Sequence, residues 1–410
     1  MENFEQLLDH YADITVNVGL NVQKGQDVLI LAPVESPEFV RRTVKKAYQA
    51  GAKNVYVEWT DEAITRARFE LAPDEAFQSY PAWRAGGYQA LVDSNAAFLY
   101  IYSPNPDLLS GIDPARIATA QKVSAQANKK FSEAKISATV SWSIVSVPTD
   151  AWAAKIFPDL DASERIDALW KQIFTITRSD REDPEKAWTD HLNNLRNKMG
   201  VLNDKRFKAL HYTAPGTDLT IELPAEHLWI SGEMTNGKGT PFRPNLPTEE
   251  VFTMPLKSGV NGTVSSTKPL NFSGNLIDRF SLTFKNGRVV DFQAEKGYDT
   301  LKQIVQTDEG AHYLGEVSLV PHHSPISDTG LIFYNTLYDE NASCHLALGT
   351  SFPFNYRGGR EMTEKELAAN GANYSLTHVD FMVGSGELDI DGESADGSRT
   401  PIFRKGAWVI

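Results

Sequence analysis

The order of patterns along the chain predicts an α/β plus α+β protein. An N-terminal three-layer domain on a mainly parallel sheet takes residues 1–200, and a strand-rich domain takes residues 201–410. Two observations lead there. Up to about residue 200, helical and strand patterns alternate, the order that places helices on the faces of a parallel sheet. Beyond Asn203, short apolar runs are separated by Gly, Pro, Asn and Asp, the punctuation of hairpins.

Phe4 to Val18 reads as an amphipathic helix, Asp27 to Leu31 as a buried strand, and Ser36 to Ala50 as a helix closed by Gly51. Asn54 to Glu58 is the next strand. Ala96 to Tyr102 and Ser137 to Trp142 continue the series, with Pro114 to Phe131 helical between them. Residues 161–200 are helical and charged, broken at Arg178 to Pro184, and form the connector between the domains. In the second half, Asn286-Gly287 lies between Leu282-Thr283-Phe284 and Val289 to Phe292, which predicts a hairpin turn. Helices are few there, the best spanning Asp299 to Thr307 and Thr363 to Asn370.

Composition removes several classes of function. Lys and Arg number 40 against 53 Asp and Glu, a net charge of -13, which disfavours nucleic acid or an anionic membrane as partner. The apolar run Ala96 to Tyr102 is far short of the roughly 20 residues of a membrane helix, and the acidic, amphipathic N-terminus is unlike a secretory leader. A single cysteine, Cys344, excludes an intrachain disulfide and suits a reducing cytosol, so a cytoplasmic protein is expected. Cys344 is expected to be a small buried hydrophobe facing away from His345. No Gly-x-Gly-x-x-Gly follows the first strand, no His-Glu-x-x-His occurs, and Leu348 to Phe352 lacks the second glycine of a nucleophile elbow.

Seven of the nine histidines (211, 227, 312, 322, 323, 345 and 378) follow residue 205, which directs attention to the second domain. Four segments there combine acids or histidines with strand patterns. They are Asn245 to Phe252 with Glu249 and Glu250, Leu314 to Val320 with Glu316, Tyr338 to Gly349 with Glu340 and His345, and Thr377 to Gly384 with His378 and Asp380. In an extended segment His378 and Asp380 share one face, while Val379, Phe381 and Val383 point the other way. Taken singly, each segment has an ordinary explanation: a helix cap at Glu249 or Glu250, an exposed strand start at Glu316, a satisfied core histidine at His345. Together they imply a shared cation, because a buried, unpaired carboxylate costs several kcal/mol.

These blocks, with Gly19 to Gln26 and Ala214 to Leu219, resemble a known family, the thermophilic metallo-aminopeptidases that include aminopeptidase T, aminopeptidase S and PepS. The resemblance covers nearly the whole chain. It implies release of N-terminal amino acids from peptides with a free N-terminus, by water activated at two divalent metal ions (Zn, Co or Mn). Glu250, Glu316, His345, His378 and Asp380 match the ligand positions, and the second domain would be catalytic. Glu249 is expected to face away from Glu250. Glu316 or Glu340 would be the general base, with Glu340 alternatively an extra ligand or a support behind the ligands. A homodimer is also implied. One position departs from the family pattern: Gly349-Thr350-Ser351-Phe352-Pro353 carries Phe352 where a tyrosine is usual. Its missing hydroxyl leaves open a weakly active or inactive metal- or peptide-binding relative, beside a metal-dependent hydrolase of another amide. Tyr356 and Tyr374 are nearby in sequence as substitutes.

Overall fold

The computed structural model describes residues 3–410 except 104, 106, 273 and 274. The chain forms two compact units, Met1–Thr189 with Glu233–Pro247, and Asp190–Gly232 with Thr248–Ile410.

The first unit is built on four parallel strands in the order Asn54–Thr60, Asp27–Pro33, Ala97–Ile101, Trp142–Val145. The two central strands are mostly buried, as their uninterrupted apolar runs require. Helices Phe4–Ile14, Pro37–Gln49 and Ala82–Asp93 belong to the same unit. Two expectations are corrected. The single helix at Pro114 to Phe131 is two, Pro114–Ala127 and Lys129–Ile136, because Asn128 leaves helical geometry and its amide bonds back to the Ser124 carbonyl. The strand expected at Ser137 to Trp142 begins only at Trp142. Ser137 instead caps the preceding helix through Glu133, and Ala138 adopts a positive φ of 52°, in the left-handed region and away from extended geometry. Helices Ala162–Ile176 and Pro184–Lys205 flank the charged break.

In the second unit two antiparallel sheets share one apolar core. The larger has nine strands, including the hairpin Asn275–Lys285 and Arg288–Lys296. Its turn residues Asn286 and Gly287 have φ of 51° and 82°, the double positive-φ geometry that selects Asn-Gly. The expected helices appear as Tyr298–Val305 and Glu364–Ala369, the latter started by a capping box between Thr363 and Glu366.

The smaller sheet runs in the order His378–Met382, His345–Gly349, Leu314–Leu319, Val251–Thr253, Ile230–Ser231. Strand alternation gives it two unlike faces. Val317, Leu319, Leu346, Leu348, Val379 and Phe381 enter the core shared with Leu210, Tyr212 and Ile390 of the larger sheet. The opposite face presents Glu316, Ser318, His345, His378 and Asp380. Pairing sets Ala347 directly between Glu316 and Asp380, Ser318 opposite His345, and Gly349 opposite His378. Small residues at 347 and 349 keep the middle of this polar face open. Gly349 has φ of 117°, and a Cβ there would lie 2.0 Å from the Thr377 carbonyl oxygen, so its neighbour strand approaches as no other residue would allow.

Phe381→Ala should lower stability by about 3–5 kcal/mol, since the ring is buried in the core. Denaturant unfolding measures this, and a loss below about 1 kcal/mol would show that the apolar face does not anchor the site-bearing strand.

Candidate metal centre

The polar face converts alternation into a donor cluster. Glu250, just before the Val251–Thr253 strand, is held by Ser318, whose hydroxyl donates to Oε2 at 2.7 Å. Glu316, two residues before Ser318, aims one carboxylate oxygen at each of two imidazoles. His345 Nε2 lies 3.3 Å from Glu250 Oε2 and 3.4 Å from Glu316 Oε1. His378 Nε2 lies 3.3 Å from Glu316 Oε2 and 3.4 Å from Asp380 Oδ1. Two donor groups result, Glu250–Glu316–His345 and Glu316–His378–Asp380, with the donor atoms of each within 4.8 Å of one another.

Both histidines have their tautomer dictated by the backbone. His345 Nδ1 sits 3.1 Å from the Ser343 carbonyl and His378 Nδ1 2.9 Å from the Thr350 carbonyl. A carbonyl can only accept, so Nδ1 carries the hydrogen in each ring and Nε2 turns its remaining valence toward the carboxylates. This arrangement, a ring oriented by its far nitrogen, is the usual support of a metal-ligating histidine. Spacing agrees. Donors each about 2.1 Å from a single cation stand roughly 3.0–3.4 Å apart, whereas a charge-assisted hydrogen bond would draw N and O to about 2.8 Å. The residues present therefore fit divalent cations.

Electrostatics point the same way. Burial alone would lower the pKa of His345, yet the facing carboxylates of Glu250 and Glu316, with the charge of Asp380, carry it well above the usual imidazole range. His378 is raised likewise, against burial, by Asp380 and Glu316. Burial opposes ionisation of Glu316 and Asp380, but the two imidazoles hold both carboxyls below their ordinary range. Glu340 is pushed well above its ordinary value, first by burial and then by the charges of Asp380 and Glu250. Without a cation the cluster keeps its charge tolerable by gathering protons on His345, His378 and Glu340.

Around the cluster, Glu249 turns the other way, toward His191 Nε2 at 3.5 Å. Asn341, fully buried, accepts from the Glu249 amide at 2.8 Å and donates to the Leu337 carbonyl, fixing the segment that carries Glu250 against the one that carries Glu340. Asp380 and Glu340 also border a cavity of about 20 Å³ with Leu270, Asn271, Asn335 and Asp339. Burial raises the Asp339 pKa to about 6, although backbone amides of Phe333 and Asn335 bond its carboxylate. Cys344 is buried and bonded to Val320, its thiol pushed up to about 12 by burial, so no reactive thiolate forms beside His345. Ser318 and Asn341 escaped the sequence reading. Ser318 was accessible in principle, since it alternates with Glu316, whereas Asn341 is distinguished only by the contacts it makes.

Phe352 lies against the cluster, its ring centroid 4.8 Å from that of His378 and stacked on Phe354 at 5.2 Å. Neither proposed substitute supplies a hydroxyl in its place. The Tyr356 hydroxyl donates to Asn370, and its ring packs with Met254 and Leu367, while Tyr374 is largely exposed.

With this geometry in view, the family model described as thermophilic metalloprotease (M29) matches residues 4–408. The chain belongs to that family. It is 54% identical to Aminopeptidase 2 of Geobacillus stearothermophilus over 100% of this chain and 99% of the relative. It is 52% identical to Aminopeptidase AmpS of Bacillus subtilis, with both chains covered in full. The solved structure of wild-type AmpT from Thermus thermophilus superposes with a TM-score of 0.94 at 41% identity, covering 99% of this chain and 100% of that one. Membership makes the protein a peptide hydrolase and implies a divalent metal. Among the described residues no helix is long and apolar enough to cross a membrane.

The raised imidazole pKa values give a pH dependence for the metal-free protein. A group whose pKa rises on folding stabilises the fold fully below its unfolded value, about 6.5 for histidine, and loses that contribution as pH climbs through the folded value. Raising pH above about 6.5 should therefore lower the melting temperature of chelator-treated protein more than that of metal-loaded protein, in which neutral imidazoles are the bound form. Parallel pH series by scanning calorimetry would show this, and identical slopes would argue against coordination by these two histidines.

Proposed function

We propose that the protein is an aminopeptidase that releases single residues from the N-termini of peptides, with Glu250, Glu316, His345, His378 and Asp380 holding a pair of divalent cations. The observation that carries this reading is Glu316, whose two oxygens face the two histidines separately and so belong to both donor groups. A cation pair, when bound, would supply Lewis acidity that polarises the scissile carbonyl and acidifies a nearby water.

The chain's own residues supply the rest. Glu316 has both oxygens committed between imidazoles and serves poorly as a base. Glu340 stands outside both donor groups yet borders the same small cavity as Asp380, which keeps its carboxylate out of the ligand role. We assign Glu340 to accept a proton from the attacking water and deliver it to the leaving amine. Ser318 and Asn341 position Glu250, and the Ser343 and Thr350 carbonyls orient the imidazoles. The same reading takes Zn, Co or Mn as the cations, since nitrogen and oxygen donors accept all three. It also places the protein in the cytoplasm as a homodimer, in keeping with its one buried cysteine and with the family resemblance.

Leucyl peptides with free and with N-acetylated termini, assayed with each cation, test the activity. Only the free peptides should be cut, and equal cleavage of blocked ones would replace this reading with a general amide hydrolase. Glu316→Ala and His378→Ala should each reduce turnover at least 1000-fold while circular dichroism stays unchanged. Near-normal turnover in either would remove that residue from the ligand set.

Phe352 is the observation that favours a weakened relative. A hydroxyl donor at a developing oxyanion is worth roughly 3 kcal/mol, or about 100-fold in rate. Phe352→Tyr should therefore raise kcat, and an unchanged kcat would assign the position to packing or substrate contact.

A further inference from the structure

Resting on the aminopeptidase reading, we infer that Phe352, backed by Phe354 and Phe252, is the surface that receives the side chain of the substrate's N-terminal residue and sets its preference. The three rings form one apolar wall. Phe352 stacks on Phe354 with planes 7° apart, and Phe252 meets both rings edge-on at 6.4 and 6.1 Å. Phe354 and Phe252 are buried, whereas Phe352 remains half-buried, so the wall presents Phe352 as its accessible part. That ring lies 4.8 Å from the His378 imidazole, whose Nε2 belongs to the second donor group. A peptide whose first bond lies at the donors thus has Phe352 within reach of its first residue.

The cavity beside Asp380 and Glu340 is too small to take a side chain. It holds about 20 Å³ and is bordered by Asp339, Glu340 and Asp380 beside Asn271 and Asn335. Such a volume admits about one water-sized group, not an amino-acid side chain. A ring without polar atoms gives nothing to an anionic or small side chain but covers leucine, methionine or phenylalanine. Even one methylene more or less against an apolar surface is worth roughly 10- to 200-fold in discrimination. Stacking on Phe354 also fixes the ring in advance, so little order is lost when a substrate arrives.

The experiment compares wild type, Phe352→Leu and Phe352→Ala on leucyl, phenylalanyl, alanyl and glutamyl p-nitroanilides, with bound metal counted by plasma mass spectrometry. Wild type should favour the leucyl and phenylalanyl substrates. Phe352→Ala should raise KM for those two at least tenfold, changing the alanyl and glutamyl values less than threefold, with metal content unchanged. Phe352→Leu should recover the leucyl substrate more than the phenylalanyl one. An equal fall on all four substrates, or loss of metal, would show that Phe352 merely supports His378, and unchanged selectivity would place the side-chain site elsewhere. If wild type cleaves none of the four with Zn, Co or Mn, the aminopeptidase reading itself falls and takes this inference with it. A normal wild type with unaltered variants overturns the inference alone.

Discussion

The structure of the site depends on one buried carboxylate, Glu316, placed between two imidazoles. A carboxylate taken from water costs several kcal/mol unless its charge is answered nearby, and Glu316 is 5% exposed. Its two oxygens divide their partners, one to His345 and one to His378, which divides the donor atoms into two groups that meet at this residue. Glu250 and Asp380 then add charge that two imidazoles alone cannot balance. Four carboxylates, counting Glu340, face two histidines in an interior that screens poorly. The pKa shifts run in that direction: His345, His378 and Glu340 are all pushed upward, toward the protonated forms that lower the net charge. Divalent cations would displace those protons and satisfy the same carboxylates.

Holding such a cluster in place is the task of the smaller sheet. Its polar residues are fixed because the alternate residues cannot move: Leu346, Leu348, Val379 and Phe381 are locked into a core shared with the larger sheet. A slip of one residue in register would exchange the faces and bury His378 and Asp380 in hydrocarbon. Small residues complete the arrangement, since Ala347 stands between Glu316 and Asp380 and Gly349 opposite His378, leaving space there. The wall of Phe352, Phe354 and Phe252 closes one side of this space with apolar surface, beside the polar centre. Polar chemistry and apolar recognition are thereby kept on adjacent but separate surfaces.

The parts of the chain that could be read in advance were those with local causes. The alternation of strand and helix, the Asn286-Gly287 hairpin and the helix that begins at Thr363 follow from neighbours a few residues apart. The errors also had local origins. Ser137 to Trp142 looks extended by composition, but its first residues finish a helix, and the positive φ of Ala138 is invisible in the sequence. Asn128 divides a helix that periodicity alone would continue.

The sequence by itself put His378 and Asp380 on one face, because strand alternation forces it, and it named the acids and histidines that the fold gathers into two groups able to hold a metal ion. It also determined the family, because several blocks in fixed order are specific where one is not. What only the tertiary structure decided was how those residues combine. Glu250, Glu316, His345 and His378 lie on four chain segments separated by dozens of residues, and strand pairing alone makes Glu316 their common member. The standing of Glu340 and Phe352 was likewise a tertiary matter. One has its pKa raised by burial first and then by carboxylates distant in sequence, and the other gains its place from a histidine 26 residues further along the chain. Electrostatic and packing energies depend on distance in space, and the order of residues fixes that distance only within a strand or a helix.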